Sequence, residues 1–138
     1  MKELTTTIFV EPTPKGRPRL TTVSGHARAY TPKKTVKAES LIISDIRREI
    51  VGKGMFESGI PLHLSATFFI QKPKTMTKKY TMPTKRPDLD NYGKLLLDAL
   101  NGYAFPDDSQ VVTVAFRKRF CASGQVPRIE LVIREEEE

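Results

Sequence analysis

Between Pro61 and Gln71 apolar and polar residues alternate without a break. Leu62, Leu64, Ala66, Phe68 and Ile70 fall on one side, and His63, Ser65 and Thr67 on the other. Strand side chains point alternately to two faces, so this segment predicts a strand with one buried face. A sheet that buries one face needs a covering layer. Two segments can provide it. Pro32 to about Val51 sets Val36, Glu39, Ile43, Ile46 and Ile50 at helical spacing. Pro32 suits a first turn, and Gly52 and Gly54 act as stops. Asp90 to Asn101 carries a second apolar stripe, Leu95, Leu96, Ala99 and Leu100, and Gly102 follows it. Leu4 to Val10, Gln110 to Phe120 and Val126 to Arg134 read as further strands. The last two are joined by Ala-Ser-Gly-Gln and predict an antiparallel hairpin. The order β-α-β-α-β-β implies an α+β (mixed α/β) fold, a single sheet with two helices packed on it. With 138 residues and no internal repeat, one domain spanning 1–138 is expected.

Two stretches resist regular structure. Glu11 to Arg19 holds three prolines and a glycine. Gln71 to Arg86 holds Pro73, Pro83, six basic residues and no acidic one, and predicts a basic loop at about 72–86. The net charge is +7 even though the chain ends in the acidic tail Glu135 to Glu138. A basic body points to a polyanionic partner, nucleic acid above all. Cys121 is the only cysteine, which excludes an internal disulfide and a cysteine-based zinc site. His26 and His63 are the only histidines, which argues against a histidine-rich metal site and a Ser-His-Asp triad. No apolar run approaches the roughly 18 residues of a membrane helix. The N-terminus lacks a signal-peptide core, so no membrane association and a cytoplasmic location are expected.

The segment richest in chemistry is Lys85-Arg-Pro-Asp-Leu-Asp-Asn-Tyr-Gly-Lys94. Residues i and i+2 of an extended segment point the same way, so Asp88 and Asp90 can face one point. Two convergent carboxylates repel unless something positive lies between them, and a hard divalent cation with oxygen ligands meets that need. Either aspartate can instead cap the helix that follows. Farther along, Asp107 and Asp108 are adjacent, so at most one should join the first pair. Pro106-Asp-Asp-Ser109 is also strong turn chemistry. Whether the return strand brings a carboxylate to the same end depends on strand pairing, which spacing leaves open. Lys94 lies one helical turn after Asp90: either an i,i+4 ion pair, or a cation beside the metal that contacts the scissile phosphate. Asp98, another turn along, reads as a surface or helix-pairing residue.

Asp88-Leu-Asp-Asn91, Lys94, Leu97-Asp-Ala-Leu100 and Asp107-Asp-Ser-Gln-Val111 together resemble the RusA family of Holliday junction resolvases. Pro14-Lys-Gly-Arg-Pro-Arg19 and Tyr30-Thr-Pro-Lys-Lys34 resemble its prophage branch, and the likeness spans most of the chain. It implies a homodimer that binds four-way branched DNA and nicks two strands symmetrically, in recombination and repair, with Mg²⁺ (Mn²⁺ as an alternative ion). Asp88, Asp90 and Asp108 match the family's three metal-binding aspartates, and Lys94 matches its essential lysine. Asp107 matches the less implicated member of the doublet. The loop 72–86 looks longer than the basic stretch of the best-known members, which bears on substrate range.

Lys15, Arg17, Arg19, Arg28, Lys33, Lys34, Lys85 and Arg86 are candidate DNA contacts, the arginines by bidentate grip of phosphate. Tyr80 is a candidate to stack on an exposed base. Val111, Val112, Val114 and Phe116 are either core strand residues or part of a dimer interface. Rival readings are a metal-dependent nuclease for other branched or single-stranded DNA, and a non-catalytic branched-DNA-binding module whose aspartates are caps and turns. A nucleotide-sugar Asp-x-Asp site is disfavoured, because the chain has no nucleotide-binding glycine pattern.

Overall fold

The computed structural model describes residues 2–16, 19–76 and 81–138; the side chains of Arg19 and Val23 lie outside that description. The elements are β1 (Glu3–Ile8), β2 (Arg19–Val23), β3 (His26–Tyr30), α1 (Lys33–Lys53), β4 (Leu62–Ile70), α2 (Leu89–Leu100), a 3-10 turn (Asp108–Gln110), β5 (Val111–Phe120) and β6 (Arg128–Glu135). Without β2 and β3 this is the expected β-α-β-α-β-β order on a four-stranded sheet. The added β2–β3 ribbon lies partly in the Glu11–Arg19 stretch and otherwise in a segment to which no element had been assigned.

The sheet order is β1-β6-β4-β5. β4 buries Leu62, Leu64, Ala66 and Phe68, the alternation read in the sequence. β4, α2 and β5 form a crossover unit, so β5 lies parallel to β4 and α2 runs antiparallel to both. That unit occupies one side of β4. β6 takes the other side and inserts between β1 and β4, antiparallel to each. The expected β5–β6 hairpin is therefore not formed; the two strands flank β4. Their compositions agree with this. β6 buries Ile129, Leu131 and Ile133 in the middle of the sheet, whereas β5, with Arg117, Lys118 and Arg119, lies at its edge.

Both helices cover the apolar face. α1 buries Thr35, Ala38, Ile42 and Ile46 at three- and four-residue spacing, with Ile43 and Ile50 packed beside them. Val36, expected in the buried stripe, is half exposed, because the stripe is rotated toward the small residues Thr35 and Ala38. α2 buries Tyr92, Gly93, Leu95, Leu96, Ala99 and Leu100. It lies close to β5: a Cβ at Gly93 would fall inside the Phe116 ring. Phe68 stacks on Tyr92 and meets Phe116 edge-on, which closes the contact between helix and sheet.

Candidate active site

The site begins where the chain turns into α2. Asp88 occupies the N-cap position with extended backbone angles, yet its carboxylate makes no capping hydrogen bond. The helix is started only by the backbone carbonyl of Asp88, which accepts from the Asn91 amide at 3.1 Å. Asp90 stands in the first turn, and both aspartates are exposed. Among the described residues no cation pairs with either carboxylate. The capping role that the sequence allowed for Asp88 is thus unfilled. Two carboxylates stand within three residues, facing the positive end of a helix.

The turn before Asp88 is held from β5. The Lys118 ammonium donates to the carbonyls of Lys85 and Pro87, both at 2.9 Å. This residue was not singled out from sequence. Its signal was legible: Lys118 interrupts the line Val114, Phe116, Phe120 on β5, which pairs with the helix-facing residues of β4, where another apolar residue would be expected. Lys85 and Arg86 are exposed beside Asp88.

An open cleft of about 600 Å³ runs along α2, lined by Lys15, Gly16, Asp90, Asn91, Lys94, Leu97, Asp98 and Phe116. Lys94 lines it one turn from Asp90. Its ion pair is with Asp98 at 3.1 Å, on the following turn, and not with Asp90. Asp98 also pairs with Lys15 at 3.1 Å, and Lys15 with Glu39 of α1 at 2.6 Å. Burial opposes the charge on Asp98, but the hydrogen bonds from Lys94 and Lys15 prevail and hold its carboxyl below the usual range. Burial likewise opposes the charge on Lys15, and its bonds to Glu39 and Asp98 raise its ammonium above the ordinary value. Asp98 is therefore the helix-pairing residue its position suggested. Lys15, a candidate DNA contact, is engaged by two carboxylates of its own fold. The Lys15 amide donates to the Asn91 carbonyl at 3.0 Å, and the Gly16 amide to the Thr35 hydroxyl at 3.0 Å. These bonds seat the segment 15–16 between the first turns of both helices. A side chain at Gly16 would collide with Thr35 and Pro32.

Asp108 lies elsewhere. Asp107 caps the 3-10 turn, accepting from the Ser109 amide at 3.1 Å and sharing a reciprocal capping box with Gln110. That amide bond holds the Asp107 carboxyl below its usual range. The Gln110 side chain is buried and donates to the carbonyls of Glu57 and Ile60. The Asp108 amide donates to Asn101 Oδ1 at 3.0 Å, next to the C-terminal end of α2, and no described cation pairs with its carboxylate. Of the doublet, Asp107 builds the turn, and neither carboxylate joins Asp88 and Asp90 on this chain. α2 runs from Leu89 to Leu100, with Asp88 just before it, Asp90 in its first turn and Asp108 bonded to Asn101 just past its end. The 12 residues of the helix separate Asp88 from the Asp108 end, and ten lie between Asp90 and that end. At 1.5 Å per residue these are about 18 Å and about 15 Å. The strand pairing that spacing left open places Asp108 away from Asp88 and Asp90 on the same chain, and among the described residues no three acidic, histidine or cysteine groups come together to hold a metal. The cause is the crossover, which starts β5 at the end of α2 opposite Asp88.

Lys33 and Lys34 are exposed in the first turn of α1, and Arg28 is exposed on β3. Arg17 and Tyr80 lie outside the described residues, as does the side chain of Arg19. No helix among the described residues is long and apolar enough to cross a membrane.

Asp88 and Asp90, with no cation partner among the described residues, thus stand exposed at the start of α2 with Lys85 and Arg86 nearby and a mixed sheet behind. The family model described as Endodeoxyribonuclease RusA matches residues 10–134, and the chain belongs to that family. It is thereby a RusA-family endodeoxyribonuclease, a family whose role is the resolution of Holliday junctions. It is 32% identical over 136 residues to the uncharacterized protein YqaN of Bacillus subtilis (strain 168), covering 94% of each. It is 38% identical over 84 residues to a crossover junction endodeoxyribonuclease rusA of Lactococcus phage r1t, covering 60% of this chain and 61% of the phage protein.

Proposed function

We propose that this protein is a homodimeric, Mg²⁺-dependent resolvase. It nicks two strands of a four-way DNA junction symmetrically, in recombination and repair. Each of its active sites is shared by two subunits. The observation that carries the reading is the placement of the aspartates: two unpaired carboxylates at one end of α2 and a third at the other. A two-fold axis reverses α2 against its copy, which turns Asp88 and Asp90 of one chain toward Asp108 of the partner subunit. The surface favours such a dimer. Among the described residues β5 pairs only with β4, so they leave its outer edge open, and Val112 and Val114 beside it are 60% and 48% exposed. An edge strand with exposed valines is a surface that proteins normally cover.

The donor set fits magnesium. All three ligands are carboxylates with no competing cation among the described residues, and Mg²⁺ takes few protein oxygens and keeps its waters. Asp88, Asp90 and the partner's Asp108 would hold the ion, which when bound supplies a water of lowered pKa and offsets charge on the phosphate. The chain's own residues do the rest. Lys118 fixes the backbone that carries Asp88. Lys94, 63% exposed and hinged on Asp98, swings to the scissile phosphate and neutralises charge developing there. Lys85, Arg86, Lys33 and Lys34 bind flanking phosphates.

The test is a nicking assay on end-labelled four-way junctions, wild type beside Asp90→Asn, in Mg²⁺ or EDTA. Paired symmetric nicks that need both Mg²⁺ and Asp90 are expected, with junction binding kept by the variant. Tight binding without nicks in any condition would return the protein to a binding module. Equal cutting of flaps or single strands would redirect it to other DNA.

A further inference from the structure

The β2–β3 ribbon stands apart from the core. All five residues of β3 are exposed, as are Leu20, Thr21 and Thr22 of β2, with Leu20 at 76%. Ser24 and Gly25 turn it with left-handed angles, φ 52° and 78°, the geometry of a tight two-residue hairpin. An isolated two-stranded hairpin is marginal in water, so a surface such as this gains most of its order from a partner.

Register sorts its residues into two unlike faces. Thr21 pairs with Arg28, so these two and their neighbours two residues along, His26 and Tyr30, share one side. Leu20 pairs with Ala29 and Thr22 with Ala27, so the other side is uncharged. The charge is one-signed: from Pro12 to Ala38 the chain has seven lysines and arginines and no acidic residue. The root of the ribbon is fixed. The Lys15 amide bonds to the Asn91 carbonyl, next to Asp90, and the Gly16 amide to Thr35 in the first turns of α1. The ribbon therefore springs from the end of the molecule that carries Asp88, Asp90, Lys33 and Lys34.

We propose that this ribbon is a DNA-gripping arm, which lays its Thr21–Arg28 face on the sugar-phosphate backbone of a duplex next to the cut. A two-stranded ribbon matches the width of a duplex groove. Arg28 is placed for phosphate, and Thr21 and Tyr30 for neutral hydrogen bonds to it; the opposite face, with Leu20, Thr22, Ala27 and Ala29, carries no charge. The inference rests on the DNA reading of the site, but it concerns affinity and not chemistry.

A matched pair of substitutions tests it. Thr21→Glu and Thr22→Glu add the same charge to adjacent exposed positions on opposite faces. The carboxylate introduced by Thr21→Glu would also pair with Arg28 across the strands and draw it from phosphate. Anisotropy titrations with labelled four-way and linear duplex DNA, in EDTA over a range of salt, read affinity without cleavage. Thr21→Glu is expected to weaken binding by about tenfold or more and to flatten the salt dependence by about one phosphate contact. Thr22→Glu is expected to stay within about threefold of wild type. Both should melt with the wild-type protein. Equal effects of the two variants, or none from either, would overturn the arm. Because the assay contains no metal, loss of binding by Thr21→Glu in a protein that never nicks would keep the arm and remove the nuclease reading. Nicking with an indifferent ribbon would do the reverse.

Discussion

Shared active sites make a prediction that no single-chain site makes: two dead variants should repair each other. Mg²⁺ binds oxygen at about 2.0–2.1 Å, so the carboxylates that share one ion must come within about 4 Å of each other. On one chain Asp90, in the first turn of α2, and Asp108, bonded at its C-terminal end, are separated by ten residues of helix, about 15 Å, beyond the reach of two aspartate side chains. In a two-fold dimer of Asp90→Asn with Asp108→Asn, one site receives both lesions and the other none. Random exchange of equal amounts gives about half heterodimers, each with one sound site, so about a quarter of wild-type sites return. The variants would be denatured together, refolded and assayed on labelled junctions. The distinctive product is a single nick in place of the wild-type pair. Asp88→Asn mixed with Asp90→Asn is the control, because both lesions lie at the same end of α2 and every site keeps one. No recovery in the first mixture, with heterodimers verified by a size tag, would refute the shared site. Equal recovery in both mixtures would point to contaminating wild-type protein.

Two further predictions concern the frame that holds the site. Gly93→Ala forces a methyl group into the Phe116 ring, and overpacking of this kind costs about 1–3 kcal/mol, read as a melting temperature lower by several degrees. Wild-type melting would mean that α2 moves off β5 without strain. Asp98→Asn leaves Lys15 and Lys94 without their shared carboxylate and is expected to cost about 1–2 kcal/mol at pH 7. The sign with pH is fixed by the lowered pKa of Asp98. Its contribution is present above the unfolded carboxyl value of about 3.9 and is lost as pH falls through the folded value, so wild type and variant should converge in acid. A constant gap down to low pH would show that the ionised carboxylate is not what stabilises.

What the sequence showed and what it concealed divide along local and non-local lines. The alternation in β4 and the stripe of α2 are set by neighbours within a few residues, and the fold keeps both; the extended geometry read for Asp88 and Asp90 is replaced by a helix that begins at Leu89. The β5–β6 pairing was misread because Gly124 and its neighbours make a good turn whichever strands they join. Which strand lies beside which depends on β4 being claimed on one side by the α2 crossover. The same crossover carries Asp108 to the far end of α2, and no count of residues between Asp90 and Asp108 reveals that. The ribbon escaped notice because Ala27 and Ala29 are weak strand formers and prolines precede it. Ser24-Gly25 after Thr-Thr-Val was the readable sign.

Several features of this chain run against local stability, and they lie together. Asp88 takes a capping position without capping, forgoing about 1 kcal/mol that a bonded side chain contributes there. α1 opens with Lys33 and Lys34 and no acidic residue, so its positive end faces positive charge, each unfavourable by about 0.3–1 kcal/mol. The ribbon exposes both of its faces. All three are at the end of the molecule where the segment 15–16 joins the first turns of α1 and α2. The opposite end shows the reverse economy: Asp107, Gln110 and Asn101 satisfy one another and the neighbouring backbone, and only the Asp108 carboxylate is spared. Folding alone would trim such conflicts, since a cap or an acidic first turn is a one-residue change. On the proposed reading their concentration is what a binding end requires: phosphate would relieve the lysines and the ribbon, and a cation would relieve the carboxylates. The two remedies have opposite charge and sit side by side, which is the arrangement needed to hold a phosphodiester against a metal-bound water.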